Sequence, residues 1–350
     1  MIIKISKNKI GKGNSIFIIA EAGVNHNGKL DLALKLVDVA ASAGADAVKF
    51  QTFKAEQVVT DKGEMADYQK KNLGKVESQQ EMLKKLELHE EFYQPIIKRC
   101  KERKIMFLST PHGGVESVDF LESLGVEAFK VGSGDLTNYL LLNRLARTHK
   151  PVILSSGMAT LKEVINAVDF IKSKGCKQLA MLHCTTDYPC PPEKVNMASM
   201  VTMMKKLDIP VGYSDHTQGN SAAIMATTLG ATIYECHFTV NKKLPGPDHI
   251  ASASPEELKV RINSIREVEI MMGNAKKIPN ESEIKLINIV RRSLVAASDL
   301  SKGHKLTIQD LEAKRPGDGI SPSKYEQFLG KILKKSIQKN QQIKNSDIKH

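Results

Sequence analysis

The chain contains no tryptophan, and aromatic residues make up only 5% of its 350 residues. With no arginine-rich run or RNA-binding signature either, it lacks the stacking surfaces of a nucleic-acid module. The net charge of +12 therefore reads as a solvated basic surface, much of it scattered lysine, that would steer an anionic substrate inward. No apolar run approaches the roughly 18 residues that a spanning helix requires, and Met1-Ile2-Ile3-Lys4-Ile5-Ser6 lacks a signal-peptide layout. A soluble, cytoplasmic protein with no membrane or nucleic-acid partner is expected. Five cysteines (Cys100, Cys176, Cys184, Cys190 and Cys236) form no C-x-x-C pair. Their odd number argues against a disulfide framework and for a reducing compartment. Cys184 and Cys236 adjoin strand-end histidines, so on a strand they should face the other way and serve as packing.

What is present is a short apolar run alternating with an amphipathic segment, eight times over. The strand candidates are 16–21, 47–52, 105–110, 128–133, 152–156, 179–185, 211–216 and 232–239. They lack clean alternation, as strands buried on both faces do. Leu30, Ala33, Leu34, Val37 and Ala41 keep the spacing of one helical face. Thr160-Leu161-Lys162-Glu163 is a capping box, and Ser254-Pro255-Glu256-Glu257 repeats it with proline at the first helical position. Eight such units predict an α/β fold, a (β/α)₈ TIM barrel, over 1–273. The runner-up, an open doubly wound sheet, lacks a G-x-G-x-x-G after its first strand, since Gly11-Lys12-Gly13 precedes that strand. A polar linker, 274–290, and a separate small domain, 291–350, complete the chain. The polar segment 61–79 is expected to form a long loop over the barrel mouth.

Barrel enzymes carry their chemistry at the carboxyl ends of strands. There this chain places Glu21, Lys49 with Gln51, Ser109 with Thr110, Lys130 with Ser133, Ser155 with Ser156, His183 with Thr185, Ser214 with His216, and Glu235 with His237. Desolvating an unpaired ammonium is costly, so Lys49 and Lys130 inside apolar strands imply either a bound anion or structural carboxylate partners. His216 and His237, with Glu21 if the first and last strands are neighbours, suit a divalent cation; singly, each histidine could equally be a hydrogen-bonded core residue.

These residues lie in stretches that together resemble the sialic acid synthase family: Ile19-Ala20-Glu21-Ala22-Gly23-Val24-Asn25-His26-Asn27-Gly28, Lys49-Phe50-Gln51-Thr52-Phe53, Ser109-Thr110-Pro111, Lys130-Val131-Gly132-Ser133-Gly134, His183-Cys184-Thr185-Thr186-Asp187-Tyr188-Pro189, Gly212-Tyr213-Ser214-Asp215-His216, His237-Phe238-Thr239, Gly246-Pro247-Asp248-His249 and Lys314-Arg315-Pro316-Gly317. The C-terminal region resembles the family's antifreeze-like, or SAF, domain. The resemblance implies condensation of phosphoenolpyruvate (PEP) with an acylated mannosamine-type sugar to a nine-carbon α-keto acid, with phosphate released by C–O cleavage. N-acetylneuraminate synthesis from N-acetylmannosamine is the leading reading. Legionaminate synthesis from a diacetamido-dideoxymannose is the alternative. It further implies Mn²⁺ or Mg²⁺ on His216 and His237, with Glu21, Lys49 and Lys130 catalytic. Lys49, Thr110, Lys130, Ser133, Ser155, Thr186 and Ser214 would fall on PEP. Gln51, Tyr188 and Asp248 would fall on the sugar, and Arg315 would reach the partner subunit's site in a domain-swapped homodimer. The chain departs from the family pattern at Thr186 (commonly Asn), His112 (commonly Phe) and Cys236 (commonly Lys or Arg). Competing readings are a Schiff-base aldolase using Lys130 or Lys49, and a non-catalytic polyanion-binding protein.

Overall fold

A computed structural model describes residues 1–60, 62–73 and 78–349. It divides into two compact units, 1–273 and 274–350. In the first, eight parallel strands form one sheet: β3 (Phe17–Gly23), β4 (Ala47–Thr52), β5 (Met106–Pro111), β6 (Phe129–Val131), β7 (Val152–Ser155), β8 (Leu179–Cys184), β9 (Val211–Asp215) and β10 (Ile233–His237). The order β5-β4-β3-β10-β9-β8-β7-β6 brings the first and last of the eight together, pairing His237 with Glu21. With β5 and β6 lying side by side, the sheet curls into a nearly closed (β/α)₈ barrel, the fold the strand–helix alternation predicts.

The helices between the strands are α1 (Leu30–Ala43), α2 (Ala55–Val58), α3 (Asp67–Leu73), α4 (Gln79–Lys84), α5 (Glu90–Glu102), α6 (Gly114–Ser123), α7 (Tyr139–Arg147), α8 (Leu161–Ser173), α9 (Ala198–Lys206), α10 (Ser221–Thr228) and α11 (Pro255–Met272). Helix α1 stops where Gly44 takes φ 90°, a left-handed conformation that a side chain resists. Helices α8 and α11 start at Thr160 and Ser254, whose hydroxyls accept from the amides of Glu163 and Glu257. The segment read as a loop at 61–79 instead carries α3. Residues 61 and 74–77 of it lie outside the described set. Asn72 donates to the carbonyl of Pro247 at 2.7 Å, tying this segment to the loop after β10.

Side-chain parity sorts each strand into two environments. Phe17, Ile19, Ala47, Leu108, Ala128, Ile153, Ala180, Leu182 and Ile233 fill the barrel interior. Ile18, Ala20, Val48, Phe50, Phe129, Leu154, Met181, Tyr213 and Tyr234 pack outward under the helices. An antiparallel hairpin that the sequence reading did not find, β1 (Ile2–Ile5) and β2 (Asn8–Gly11), contributes Ile3, Ile5 and Ile10 to the interior cluster. These meet residues at the amino ends of the strands, leaving the carboxyl ends to the polar groups.

The second unit has its own core of Leu294, Ala296, Leu300, Leu306, Phe328, Leu333, Ile337, Ile343 and Ile348. Strands β11 (Ser293–Ala296) and β12 (Leu311–Lys314) pair antiparallel within it. Residues 274–290, read as a linker, contain helix α12 (Glu281–Val290), capped by Asn280.

Candidate active site

Continuing the interior parity toward the carboxyl ends places Glu21, Lys49, Gln51, Thr110, Lys130, Ser155, Cys184, Ser214, Glu235 and His237 on inward positions. The core of this set is a charge cluster. Lys49 pairs with Glu21, stands 3.6 Å from Glu235, and donates to Thr110 Oγ1 at 3.1 Å. Lys130 lies 3.2 Å from Glu235, which also accepts from the Ser214 hydroxyl at 3.0 Å. Gln51 donates to Glu21 at 3.2 Å. All four charged groups are buried, so both lysines have structural carboxylate partners, one of the two arrangements their burial implied.

Glu235 is the residue that sequence reasoning noted at a strand end but gave no role. The signal was available: it stands two positions before His237 and so shares its inward face. Burial pushes its carboxyl up, but Lys130, Lys49, Ser214 and His237 outweigh that and hold it down to about 2. In Glu21 burial prevails, with help from Glu235 and against Lys49, and its pKa is raised. Burial lowers Lys130, and Lys49 adds to this against the pull of Glu235. For Lys49 burial acts downward too, but Glu21 and Glu235 raise it overall. The two carboxyls are thus driven apart, Glu235 downward and Glu21 upward.

Beside this cluster lies a ring of hydroxyls. Ser133 Oγ accepts from the Gly157 amide at 3.0 Å. A Cβ on Gly157 would come within 2.2 Å of Thr186 Oγ1 and 2.6 Å of Ser133 Oγ, so glycine is needed for these loops to meet. Ser155 Oγ is buried with no hydrogen-bond partner among the described residues, a donor that a bound anion would satisfy. His112 borders this corner, 3.4 Å from Asp135.

The imidazoles of His216 and His237 have ring centres 5.4 Å apart. At that separation the two rings could each offer a nitrogen to one divalent cation. His216 Nδ1 lies 2.7 Å from the carbonyl of Thr185. That contact makes Nδ1 the donor and orients the ring; burial lowers the His216 pKa, but Cys184 and the Thr185 carbonyl raise it overall. His237 Nδ1 is buried with no partner among the described residues. Burial, His216 and Lys49 push the His237 pKa well down, keeping the ring neutral, as a metal ligand must be. The donor set thus fits a divalent cation with further positions open to oxygen ligands. Glu21 does not complete it: the described residues contain no group of three metal-ligating side chains, and Glu21 is engaged by Lys49 and Gln51. Tyr188 packs tilted against His216, with ring centres 4.1 Å apart. Half-buried Asp248 is raised to about 6 by burial and by Glu21, against His216.

One cysteine assignment changes, that of Cys184, and that of Cys236 as buried packing holds. Cys184 shares the inward parity of Leu182 and reaches within 3.9 Å of His216 Nδ1; His183 is the outward residue, bonded to the carbonyl of Val195. Burial raises the Cys184 thiol, yet His216, Ser133 and Lys130 bring it below its ordinary value. Cys236 points outward into the helix layer and is fully buried, so its departure from the family pattern concerns packing and not the mouth. Arg315 belongs to the second unit, where it is exposed and donates to the carbonyl of Val290 at 3.0 Å.

The fold and site define a (β/α)₈ barrel protein with buried lysines, carboxyls and paired histidines at the carboxyl ends of its strands, and comparison with known proteins gives its family. Residues 36–277 match the NeuB family, and residues 291–349 match the SAF domain. The chain belongs to the NeuB family. It is 46% identical to an N,N'-diacetyllegionaminic acid synthase of Campylobacter jejuni over 93% of this chain and 98% of that one. It is 44% identical to the protein of the same name in Legionella pneumophila over 93% of each. The crystal structure of an N-acetylneuraminic acid (sialic acid) synthetase from Leptospira borgpetersenii, in complex with citrate, superposes with a TM-score of 0.73 at 34% identity. That match covers 82% of this chain and 95% of the other.

Proposed function

We propose that this protein condenses PEP with a 2,4-diacetamido-dideoxymannose, giving a legionaminate-type nine-carbon α-keto acid and phosphate. The observation that carries the reading is the convergence, on one barrel mouth, of a balanced Lys–Glu cluster, a set of hydroxyls with an unpartnered Ser155 Oγ, and two imidazoles 5.4 Å apart, one of them with an unpartnered buried Nδ1. Two relatives named for diacetyllegionaminic acid synthesis, at 46% and 44% identity, favour this sugar over N-acetylmannosamine, the leading reading of the sequence.

In this reading Lys49, Thr110, Lys130, Ser133, Ser155, Thr186 and Ser214 hold the carboxylate and phosphate of PEP. Gln51, Tyr188 and Asp248 orient the sugar, with its aldehyde toward His216 and His237. Those two histidines would hold Mn²⁺ or Mg²⁺, which when bound supplies Lewis-acid polarisation of a carbonyl oxygen. C3 of PEP forms the new bond to the aldehyde carbon. Water adds at C2, and the resulting tetrahedral centre expels phosphate as its C–O bond breaks. Glu21 handles the protons exchanged in these steps, while Glu235 keeps both ammonium groups charged and oriented. Five buried free cysteines suit a reducing, cytoplasmic setting. No helix among the described residues is long and apolar enough to cross a membrane.

The homodimer belongs to the same proposal. Leu286, Ile289 and Val290 of α12 are exposed on one side of the helix, an apolar face that a second copy would cover, and Arg315 would then enter the partner's site. The test is phosphate release from PEP with each acylated sugar, with and without chelator. Release that requires PEP, the diacetamido sugar and metal is expected. Release indifferent to the sugar, or a lysine adduct trapped by borohydride, would overturn the reading in favour of the aldolase.

A further inference from the structure

His216 stands one residue beyond β9, past the last ladder pair of that strand, Cys236 with Asp215. His237, by contrast, is still inside the sheet, paired with Glu21. Beyond the ladder His216 is held by its ring contact to the Thr185 carbonyl and by its own carbonyl, which accepts from the Cys190 amide at 2.8 Å, and its direction depends on what fixes the residues beside it. On the outward face, behind His216, there is such a device. Asp215 and Arg261 of α11 are both buried, at 1% and 5% exposure. Arg261 Nη1 lies 3.6 Å from the Asp215 carboxylate, and its Nη2 donates to the carbonyl of Thr217 at 2.8 Å. The same carboxylate accepts from the Thr217 amide at 2.8 Å and from the Tyr234 hydroxyl at 2.6 Å.

The residues on either side of His216 are therefore locked to each other, to β10 and to α11. Burying a guanidinium costs several kcal/mol, and an apolar residue would serve packing alone as well. What the guanidinium adds is a directed bond to the Thr217 carbonyl with its charge held beside the Asp215 carboxylate.

We infer that Arg261, acting through Asp215 and Thr217, is a positioning residue that sets the affinity of the His216–His237 pair for a divalent cation. This rests on the metal reading of the proposed function. Groups one shell out from a metal ligand typically change affinity about 10–100-fold.

The experiment titrates the full-length chain, free of substrate, with Mn²⁺ alone and follows the electron paramagnetic resonance signal of the free ion. Arg261→Met is compared with Arg266→Met, a second α11 arginine that clamps the carbonyl of Ile16 and the carboxylates of Asp46 and Glu269, remote from the mouth. Arg261→Met should weaken Mn²⁺ binding at least tenfold, with Arg261→Lys restoring part of it. Arg266→Met should lower the thermal midpoint yet leave Mn²⁺ affinity unchanged. If Arg261→Met fails to fold, Tyr234→Phe, which deletes one hydroxyl, should still weaken binding severalfold. Wild-type Mn²⁺ affinity in the folded Arg261 or Tyr234 variants, or an equal loss in Arg266→Met, overturns the inference while the metal reading stands. A wild-type chain that binds no Mn²⁺, or a His216→Ala variant that binds it equally well, overturns the metal reading and the inference with it.

Discussion

Glu21 and Glu235 occupy inward positions on neighbouring strands, yet their surroundings separate them, one raised and the other held near 2. Glu21→Gln keeps the shape and the bond to Gln51 but cannot carry a proton. Turnover should fall by about 10²–10⁴-fold while PEP still protects the chain against thermal unfolding, and an unchanged rate would remove Glu21 from the chemistry. Lys130→Met has two consequences that a sequence alone does not separate. It removes a positive charge proposed to hold PEP, and it leaves Glu235 with the neutral Ser214 hydroxyl at 3.0 Å and the more distant Lys49 at 3.6 Å. Breaking a buried pair in this way costs about 3–5 kcal/mol, which denaturant unfolding would register. Adding Glu235→Gln should recover much of that stability without recovering PEP affinity, and recovery of both would assign the two lysines to scaffolding. The inward lysines were legible because they interrupt apolar strands. Their partner Glu235 was not, because which charges meet inside a barrel depends on contacts between strands far apart in sequence, here β6, β4 and β10.

The barrel units were readable because their signals are local: apolar runs, a left-handed glycine after α1, capping boxes before α8 and α11. The β1–β2 hairpin was not, since four-residue strands around Ser6 and Lys7 carry too little pattern, and what holds Ile3, Ile5 and Ile10 in place is the barrel interior they enter. Helix α3 was missed for a related reason: Asp67–Leu73 is short and polar, with no apolar stripe to count. Thr160→Ala tests the local signals. It removes the acceptor for the Glu163 amide and should lower stability by about 1 kcal/mol without touching turnover. The loops above the mouth have their own dependence on pH. His249 joins Thr239 to Asn27, at 2.6 and 3.2 Å, and burial lowers its pKa to about 4. Burial, with His249 and His89, brings His26 to about 4 as well. Both folded values lie below the ordinary 6.5, so folding favours the neutral rings. Their contribution is present above pH 6.5 and is lost as pH falls toward 4. Denaturation midpoints should therefore fall over that interval, and more shallowly in His249→Gln; an identical slope would show that His249 is not a source of the loss.

At the level of the whole molecule the chain holds two units with separate cores, and only one carries the buried charge cluster. The second unit was legible as a change of composition after residue 290, but α12, inside the stretch read as a linker, was not, because its apolar residues are exposed and match no core within the chain. That exposure is what a partner copy would explain. Arg315 poses the same question. Within its own unit it is an exposed cation bonded to one backbone carbonyl, a role that any solvated arginine could fill. If it instead completes the partner's site, its planar fork would bind acyl oxygens of the sugar, and activity would depend on two chains at once. Mixing Arg315→Ala chains with Glu21→Gln chains separates these cases. Each variant alone should be nearly inactive. In a mixed dimer, one barrel has Glu21 and receives Arg315 from the other chain, while the second barrel lacks both. Half of the chains in a fully exchanged, equimolar mixture pair in this way, and each such dimer has one working site of two, so about a quarter of wild-type turnover should return. Return of activity on mixing, with subunit exchange verified by native mass spectrometry, is the expected result. Exchange without any return would confine Arg315 to its own unit.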